Sequence, residues 1–159
     1  MGKIILQNQI KYIRNKFSGK SIIAACGCFD IFHIGHLDYL KGAKLLGDIL
    51  FVGVNSDLSI LKIKNKKPNF NIEQRMSIIS SLVYVDYVFS FDEKDFIKSL
   101  KALKPQIFAR GVDADIKGFP EQKIIEEYHI KVEKVGDYKK SSSKELRTLL
   151  QATSVNSYE

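Results

Sequence analysis

The run DILFVGVN, Asp48 to Asn55, restricts the fold more than any other stretch of the chain. It is apolar almost without interruption, so a strand made from it carries hydrophobic side chains on both faces and must be covered on both. A sheet with one face in water is therefore excluded, and helices are needed on either side. The flanking sequence supplies them. His36 to Leu46 reads as a helix with Leu37, Leu40, Ala43 and Leu45 or Leu46 turned inward, stopped by Gly47, and it follows a short apolar strand, Ser21 to Gly27.

The alternation continues to the end. Asn71 to Leu82 has helical spacing, and Gln74 completes a capping box with Asn71. Val85 to Phe91 is a third strand, Lys94 to Leu103 a helix, and Gln106 to Arg110 a fourth strand. Pro120 starts a helix reaching Tyr128, Ile130 to Val135 is a fifth strand, and a last helix runs from near Ser142, with Glu145 as capping partner, to Leu150. Strands alternating with helices imply right-handed crossovers and an α/β, doubly wound, five-stranded parallel sheet with helices on both faces. Outside this frame, 1–20 is expected to be a leading amphipathic helix built on Ile5, Ile10, Ile13 and Phe17. The Pro68-interrupted segment 62–70 is expected to be a mobile basic loop, and 151–159 a frayed tail. No repeat or linker divides the chain, so 1–159 reads as one domain.

Lys and Arg number 25 against 18 Asp and Glu, a net charge of +7 with a pI near 9.3. Such a surplus suits phosphorylated ligands or nucleic acid. No apolar run approaches the roughly 20 residues that span a bilayer, and no signal-peptide core opens the chain, so a cytoplasmic protein with no membrane partner is expected. In that reducing compartment Cys26 and Cys28, two apart on one strand face, are expected as free thiols.

Ligands of doubly wound sheets bind outside the carboxyl ends of the strands. GCFDIFHIGH, Gly27 to His36, leaves the first strand at that end and enters the first helix. Backbone N–H groups and the helix dipole favour an anion there, and Gly35 permits close approach. His33 and His36 can each donate an N–H to phosphoryl oxygens as a phosphorus centre becomes five-coordinate, while Asp30 is suited to orienting a neighbour or holding a metal ion. A Cys-x-Cys and His-x-x-His set made of Cys26, Cys28, His33 and His36 has the donors for zinc. The short gap between its halves, and the place of Cys26 inside an apolar strand, argue against wrapping a tetrahedron.

Lys62, Lys64, Lys66 and Lys67 crowd one segment, and Arg75 follows in the first turn of the next helix, where a cation opposes the dipole and points to an anion nearby. Ser141, Ser142 and Ser143 offer hydroxyls and N–H groups at the start of the last helix, next to Lys139 and Lys140.

His33-Ile34-Gly35-His36 after Gly27-x-Phe29-Asp30 resembles the HxGH signature of the cytidylyltransferase-like nucleotidyltransferases, over about Ser21 to Leu150. The resemblance implies a Rossmann-like nucleotidyltransferase domain in which a phosphorylated acceptor attacks the α-phosphate of a nucleoside triphosphate and pyrophosphate leaves. It also implies roles. His33, His36 and Lys64 would be catalytic. Gly27, Cys28, Phe29, Asp30, Gly35, Arg110, Gly111, Asp113, Ser142 and Ser143 would bind the nucleotide, the two serines at its β- and γ-phosphates. Lys62, Lys66, Lys67 and Arg75 would face the acceptor phosphate. Mg²⁺ would arrive with the triphosphate; no resident metal and no organic cofactor are expected.

Gly27-Cys28-Phe29-Asp30, Val54-Asn55-Ser56-Asp57, Lys67-Pro68 with Glu73-Gln74-Arg75, and Val85-Asp86 resemble the adenylyltransferase domain of heptose-phosphate enzymes. Glycerol-3-phosphate cytidylyltransferases share much of this, typically with Thr at the Cys28 position. Arg110-Gly111-Val112-Asp113-Ala114-Asp115 departs from the Lys-Gly-x-Asp-Tyr of the heptose pattern, and the serine run is similar to that of archaeal-type FMN adenylyltransferases. ATP with a sugar phosphate is thus the first expectation. CTP with glycerol 3-phosphate or another polyol phosphate, and FMN adenylylation, are the alternatives. Enzymes of this kind are often dimers, and the leading helix would allow a homodimer. A nucleic-acid-binding module is the competing class, disfavoured because the phenylalanines fall in apolar runs rather than in a basic groove.

Overall fold

The structure, a computed structural model, describes residues 1–115 and 117–136. Its centre is a six-stranded, all-parallel sheet in the order β1-β4-β3-β2-β5-β6, formed by β1 (Lys3–Ile4), β2 (Ile22–Gly27), β3 (Ile49–Asn55), β4 (Tyr87–Phe91), β5 (Ile107–Gly111) and β6 (Lys131–Val135). The helices are α1 (Ile10–Arg14), α2 (Ile34–Lys44), α3 (Asp57–Lys64), α4 (Ile72–Ser81), α5 (Ile97–Leu103) and α6 (Gln122–Glu127). The Rossmann-like frame read from the alternation is present.

Strand pleat divides the core in two. On β2, Ile22 and Ala24 face a core with Ile10, Phe51, Phe96, Leu100, Phe108 and Ile124, so α1, α5 and α6 cover that side. Ile23 and Ala25 face the other way, against Leu40, Ala43, Leu50, Met76 and Ile79 from α2, β3 and α4. The run DILFVGVN is buried on both faces, as its composition demands.

Three expectations are corrected. The sheet has six strands rather than five because Lys3–Ile4 pairs with Tyr87–Val88, and Ile5 N–H donates to the Val88 carbonyl. That pairing takes the front of the anticipated leading helix, leaving a 3₁₀ turn at Gln7–Gln9 and five residues of α1. The first third of the anticipated basic loop belongs to α3, capped by the Ser56 hydroxyl, which accepts Ser59 N–H at 3.1 Å, and ended by Asn65 in the left-handed region. Lys62 and Lys64 are therefore helical, and only 65–70 is loop. The capping box of α4 forms as expected, with Gln74 N–H donating to Asn71 Oδ1 at 2.9 Å and Asn71 N–H to Gln74 Oε1 at 3.1 Å.

The chain winds from β2 outward through β3 to β4 and then returns to lay β5 and β6 on the other side. Strand order reverses between β2 and β5, and the ligand crevice of such a sheet lies at their carboxyl ends. Among the described residues no helix is long and apolar enough to cross a membrane.

Candidate active site

β2 ends at Gly27 and the chain turns sharply. Phe29 adopts φ 47°, and its ring folds back over Gly27 so closely that a Cβ there would lie 3.0 Å from it. Left-handed backbone at a phenylalanine costs of order 1–3 kcal/mol. The cost is met by burial of the ring, 3% exposed, in the α2 core.

α2 begins two residues earlier than the spacing suggested because His33 caps it. His33 is extended, and its Nδ1 accepts Gly35 N–H at 3.1 Å. In the neutral ring Nε2 then carries the proton and is a donor. His36, one turn in, stacks on His33 with centroids 3.8 Å apart and packs beside Phe29 and Phe32 at 5.2 and 5.6 Å. Burial, then the neighbouring His33, then the Lys64 ammonium push the His36 pKa down to about 4. At neutral pH its imidazole is uncharged and still offers one N–H.

Lys64, in the last turn of α3, is thus brought to the histidine pair. Lys62 is not, since its ammonium donates to the Asp92 carbonyl at 3.0 Å, beyond the end of β4. Lys66 and Lys67 are exposed on the 65–70 loop. That loop is fastened to the histidine turn by Asp30, whose Oδ1 accepts Asn69 N–H at 2.7 Å and Phe70 N–H at 3.1 Å while Oδ2 accepts Asn69 Nδ2 at 2.7 Å. Asp30 holds a neighbour in place, the first of its two anticipated uses; with both oxygens bonded it is not a ready ligand for a metal ion.

Arg75 is corrected more strongly. It is fully buried, and Nε donates to the Phe70 carbonyl at 2.9 Å, Nη1 to the Cys28 and Asn55 carbonyls at 2.7 Å each, and Nη2 to Asp57 Oδ1 at 2.7 Å. The cation opposing the α4 dipole is neutralised from within, by carbonyl ends and one carboxylate. It clamps the histidine turn, the end of β3, α3 and the basic loop together rather than facing an acceptor.

Cys28 contributes its carbonyl to that clamp and its thiol to Asn55 Oδ1, 3.7 Å away; Asn55 Nδ2 in turn donates to Ser59 Oγ at 2.9 Å. Cys26 lies inside the sheet, where burial pushes its thiol up to about 12. Across the crevice, Arg110 lies over the faces of Phe108 and Phe119, each centroid 5.4 Å from its guanidinium carbon. No ion pair joins Arg110 to Asp113 among the described residues. A Cβ on Gly111 would meet only the Asp113 carboxylate, Oδ1 at 2.9 Å, the end of an exposed side chain that can turn aside. Ser142, Ser143, their lysine neighbours and the last helix lie outside the described residues.

Sequence reasoning missed Asp57, Asn55, Asn69 and Tyr39. Asp57 and Asn55 carried a signal in the Asn-Ser-Asp triplet at the end of β3. Asn69 and Tyr39 carried none, since their partners are far off in sequence.

The sequence profile of the cytidylyltransferase-like family matches residues 24–150. The bifunctional protein HldE of Pelobacter propionicus is 40% identical over 121 residues, covering 76% of this chain and 25% of that protein. That of Helicobacter pylori strain 26695 is 48% identical over 95 residues, 59% of this chain and 21% of its own length. The chain thus spans about a quarter of the curated relatives it matches. The crystal structure of the lipopolysaccharide core biosynthesis protein of Thermoplasma volcanium superposes with a TM-score of 0.64 at 34% identity, over 76% of this chain and 99% of that one. Pantoate-beta-alanine ligase of Francisella tularensis shares the fold, with a TM-score of 0.66 at 18% identity over 92% of this chain and 73% of that one.

Proposed function

The chain belongs to the cytidylyltransferase-like family, a family of nucleotidyltransferases, and from that premise we propose that it is a cytoplasmic enzyme moving an adenylyl group from ATP to a sugar 1-phosphate of the heptose type, with release of pyrophosphate. The observation that carries this reading is the stacked His33–His36 pair at the start of α2, with His36 uncharged at neutral pH and Lys64 near enough to help lower its pKa. The heptose acceptor is supported by the similarity to the HldE proteins and to the lipopolysaccharide core protein.

An acceptor phosphate oxygen attacks the α-phosphorus, the bond to the β-phosphate oxygen breaks, and the electron pair leaves with pyrophosphate. No strong base is required, because a phosphate monoester with a second pKa of about 6 is already largely a dianion at neutral pH. Charge accumulates on the α-phosphate oxygens, and the Nε2–H of His33, the N–H of His36 and Lys64 meet it. An uncharged His36 avoids the desolvation penalty of a buried imidazolium and pre-aims its N–H dipole at the developing charge. Arg75 and Asp30 keep the histidine turn and the lysine-bearing segment in one frame, so little of the geometry has to be found during reaction. Among the described residues no three His, Cys, Asp or Glu side chains converge to hold a metal ion, and Asp30 is occupied. Mg²⁺ would enter with the triphosphate substrate, carried by its phosphates and water.

Pyrophosphate release with Mg²⁺, ATP or CTP, and heptose 1-phosphate, glycerol 3-phosphate or FMN in turn tests the proposal. ATP with the heptose phosphate should give the highest kcat/KM. CTP with glycerol 3-phosphate outpacing it would replace both substrates, and silence of every pair would remove the reaction itself. His36→Ala should lower kcat by roughly 10²–10³ while far-UV circular dichroism stays unchanged.

A further inference from the structure

The two strands that flank the switch point stop pairing early. Between β2 and β5 the register holds only at Ile23 with Ile107 and Ala24 with Phe108, although β2 continues beside β3 to Gly27 and β5 beside β6 to Gly111. Continued by one step, that parallel register would run the next rung from Cys26 N–H to the Ala109 carbonyl. The Tyr39 hydroxyl occupies that rung. It accepts Cys26 N–H at 3.2 Å and donates to the Ala109 carbonyl at 2.9 Å, with the Cys26 carbonyl 3.4 Å away. A direct rung spans about 2.9 Å from nitrogen to oxygen, and an interposed oxygen requires two such lengths. Tyr39 is buried, and burial pushes its phenol far above the ordinary value, so the proton needed for donation stays in place.

We infer that Tyr39 is a positioning residue whose hydroxyl, inserted as a spacer into the β2–β5 ladder, holds the sheet open at the switch point and fixes the separation of the histidine turn from the Arg110–Gly111 turn across which the nucleotide lies. Beyond the rung both strands lead to proposed nucleotide contacts: Gly27 and Gly35 on one side, Arg110, Gly111 and Asp113 on the other. Tyr39 also stands three residues after His36 on α2, with its ring stacked on Phe29 at 6.4 Å. One hydroxyl therefore ties the histidine helix to both strands. Without it, Cys26 N–H and the Ala109 carbonyl either pair directly, closing the crevice, or stay buried and unpaired.

The inference rests on the nucleotidyl-transfer reading, and the test separates the two. Tyr39→Phe in the full chain is compared with wild type by calorimetric titration of Mg-ATP and Mg-CTP, and by KM for nucleotide and for acceptor. Nucleotide affinity should fall by roughly tenfold to a hundredfold, the loss expected of an ångström-scale misplacement, while KM for the acceptor changes by less than about threefold. p-Aminophenylalanine at this position keeps a hydrogen-bonding nitrogen in the rung and should restore nucleotide affinity to within about threefold of wild type. Nucleotide affinity within about twofold of wild type in Tyr39→Phe, or both KM values rising together, overturns the spacer. Should Tyr39→Phe not fold, the p-aminophenylalanine protein decides alone: near-wild-type binding supports the spacer, and a loss of roughly tenfold overturns it. Should the wild type release pyrophosphate from no pair, the functional reading fails and the spacer is judged by crystallography of Tyr39→Phe. A shortened Cys26 to Ala109 separation supports it, and an unchanged one overturns it.

Discussion

Replacing Arg75 by methionine separates a structural clamp from an anion-binding arginine. Methionine retains most of the apolar stem and removes only the guanidinium. Three carbonyls, at Cys28, Asn55 and Phe70, lose their donor, and Asp57 loses its partner. Each carbonyl left dry costs about 1–3 kcal/mol, but part of that is recovered where water can enter. The Asp57 side chain is 43% exposed, so its half of the ion pair is worth about 1 kcal/mol at most. A total loss of about 3–5 kcal/mol is expected, a large share of the roughly 5–15 kcal/mol that holds a domain together. Urea unfolding at pH 7, with the slope m unchanged, measures it. Asp57→Asn should cost only about 1 kcal/mol or less, since the carbonyl contacts survive. The clamp is refuted if Arg75→Met loses less than about 1 kcal/mol while KM for the acceptor rises at least roughly tenfold, which is how an arginine bound to the acceptor phosphate would behave.

The His36 pKa, lowered to about 4 against an unfolded value near 6.5, makes the unfolded chain bind more protons between those limits. Stability from this group is complete above pH 6.5 and is lost as pH falls toward 4; NMR titration should place His36 near 4, and Lys64→Ala should move it upward. Gly53→Ala should destabilise by about 1–3 kcal/mol in thermal unfolding, because the added Cβ would lie 2.3 Å from Cε2 of Phe96, itself walled in by the core. Asp30→Ala removes the acceptor for Asn69 and Phe70, so trypsin should cut after Lys66 faster than in wild type, the Lys67–Pro68 bond being resistant to it; an unchanged rate would mean that Asp30 does not tether the loop.

The places where sequence reasoning stopped share a cause. The α4 capping box was legible because its two partners lie three residues apart. α3 was not, because Lys62, Lys64 and the exposed Leu58, Leu61 and Ile63 give no clean apolar stripe, and the helix is held by Ser59 and Ile60 beneath it. β1 has two residues and no local signal, existing only because β4 lends it a ladder. His33 and His36 were identified by type and spacing, yet that spacing could not say that one ring caps the helix and the other is held neutral.

The sequence by itself determined the alternation of strands and helices, the burial of DILFVGVN on both faces, and the arrival of two histidines at a helix start, since all three follow from periodicities of a few residues. The tertiary structure alone decided that Arg75 points inward, that Asp30 holds a loop and that Tyr39 parts two strands. Each of those roles depends on backbone carbonyls and amides, which every residue carries alike, so only the folded geometry determines which of them meet.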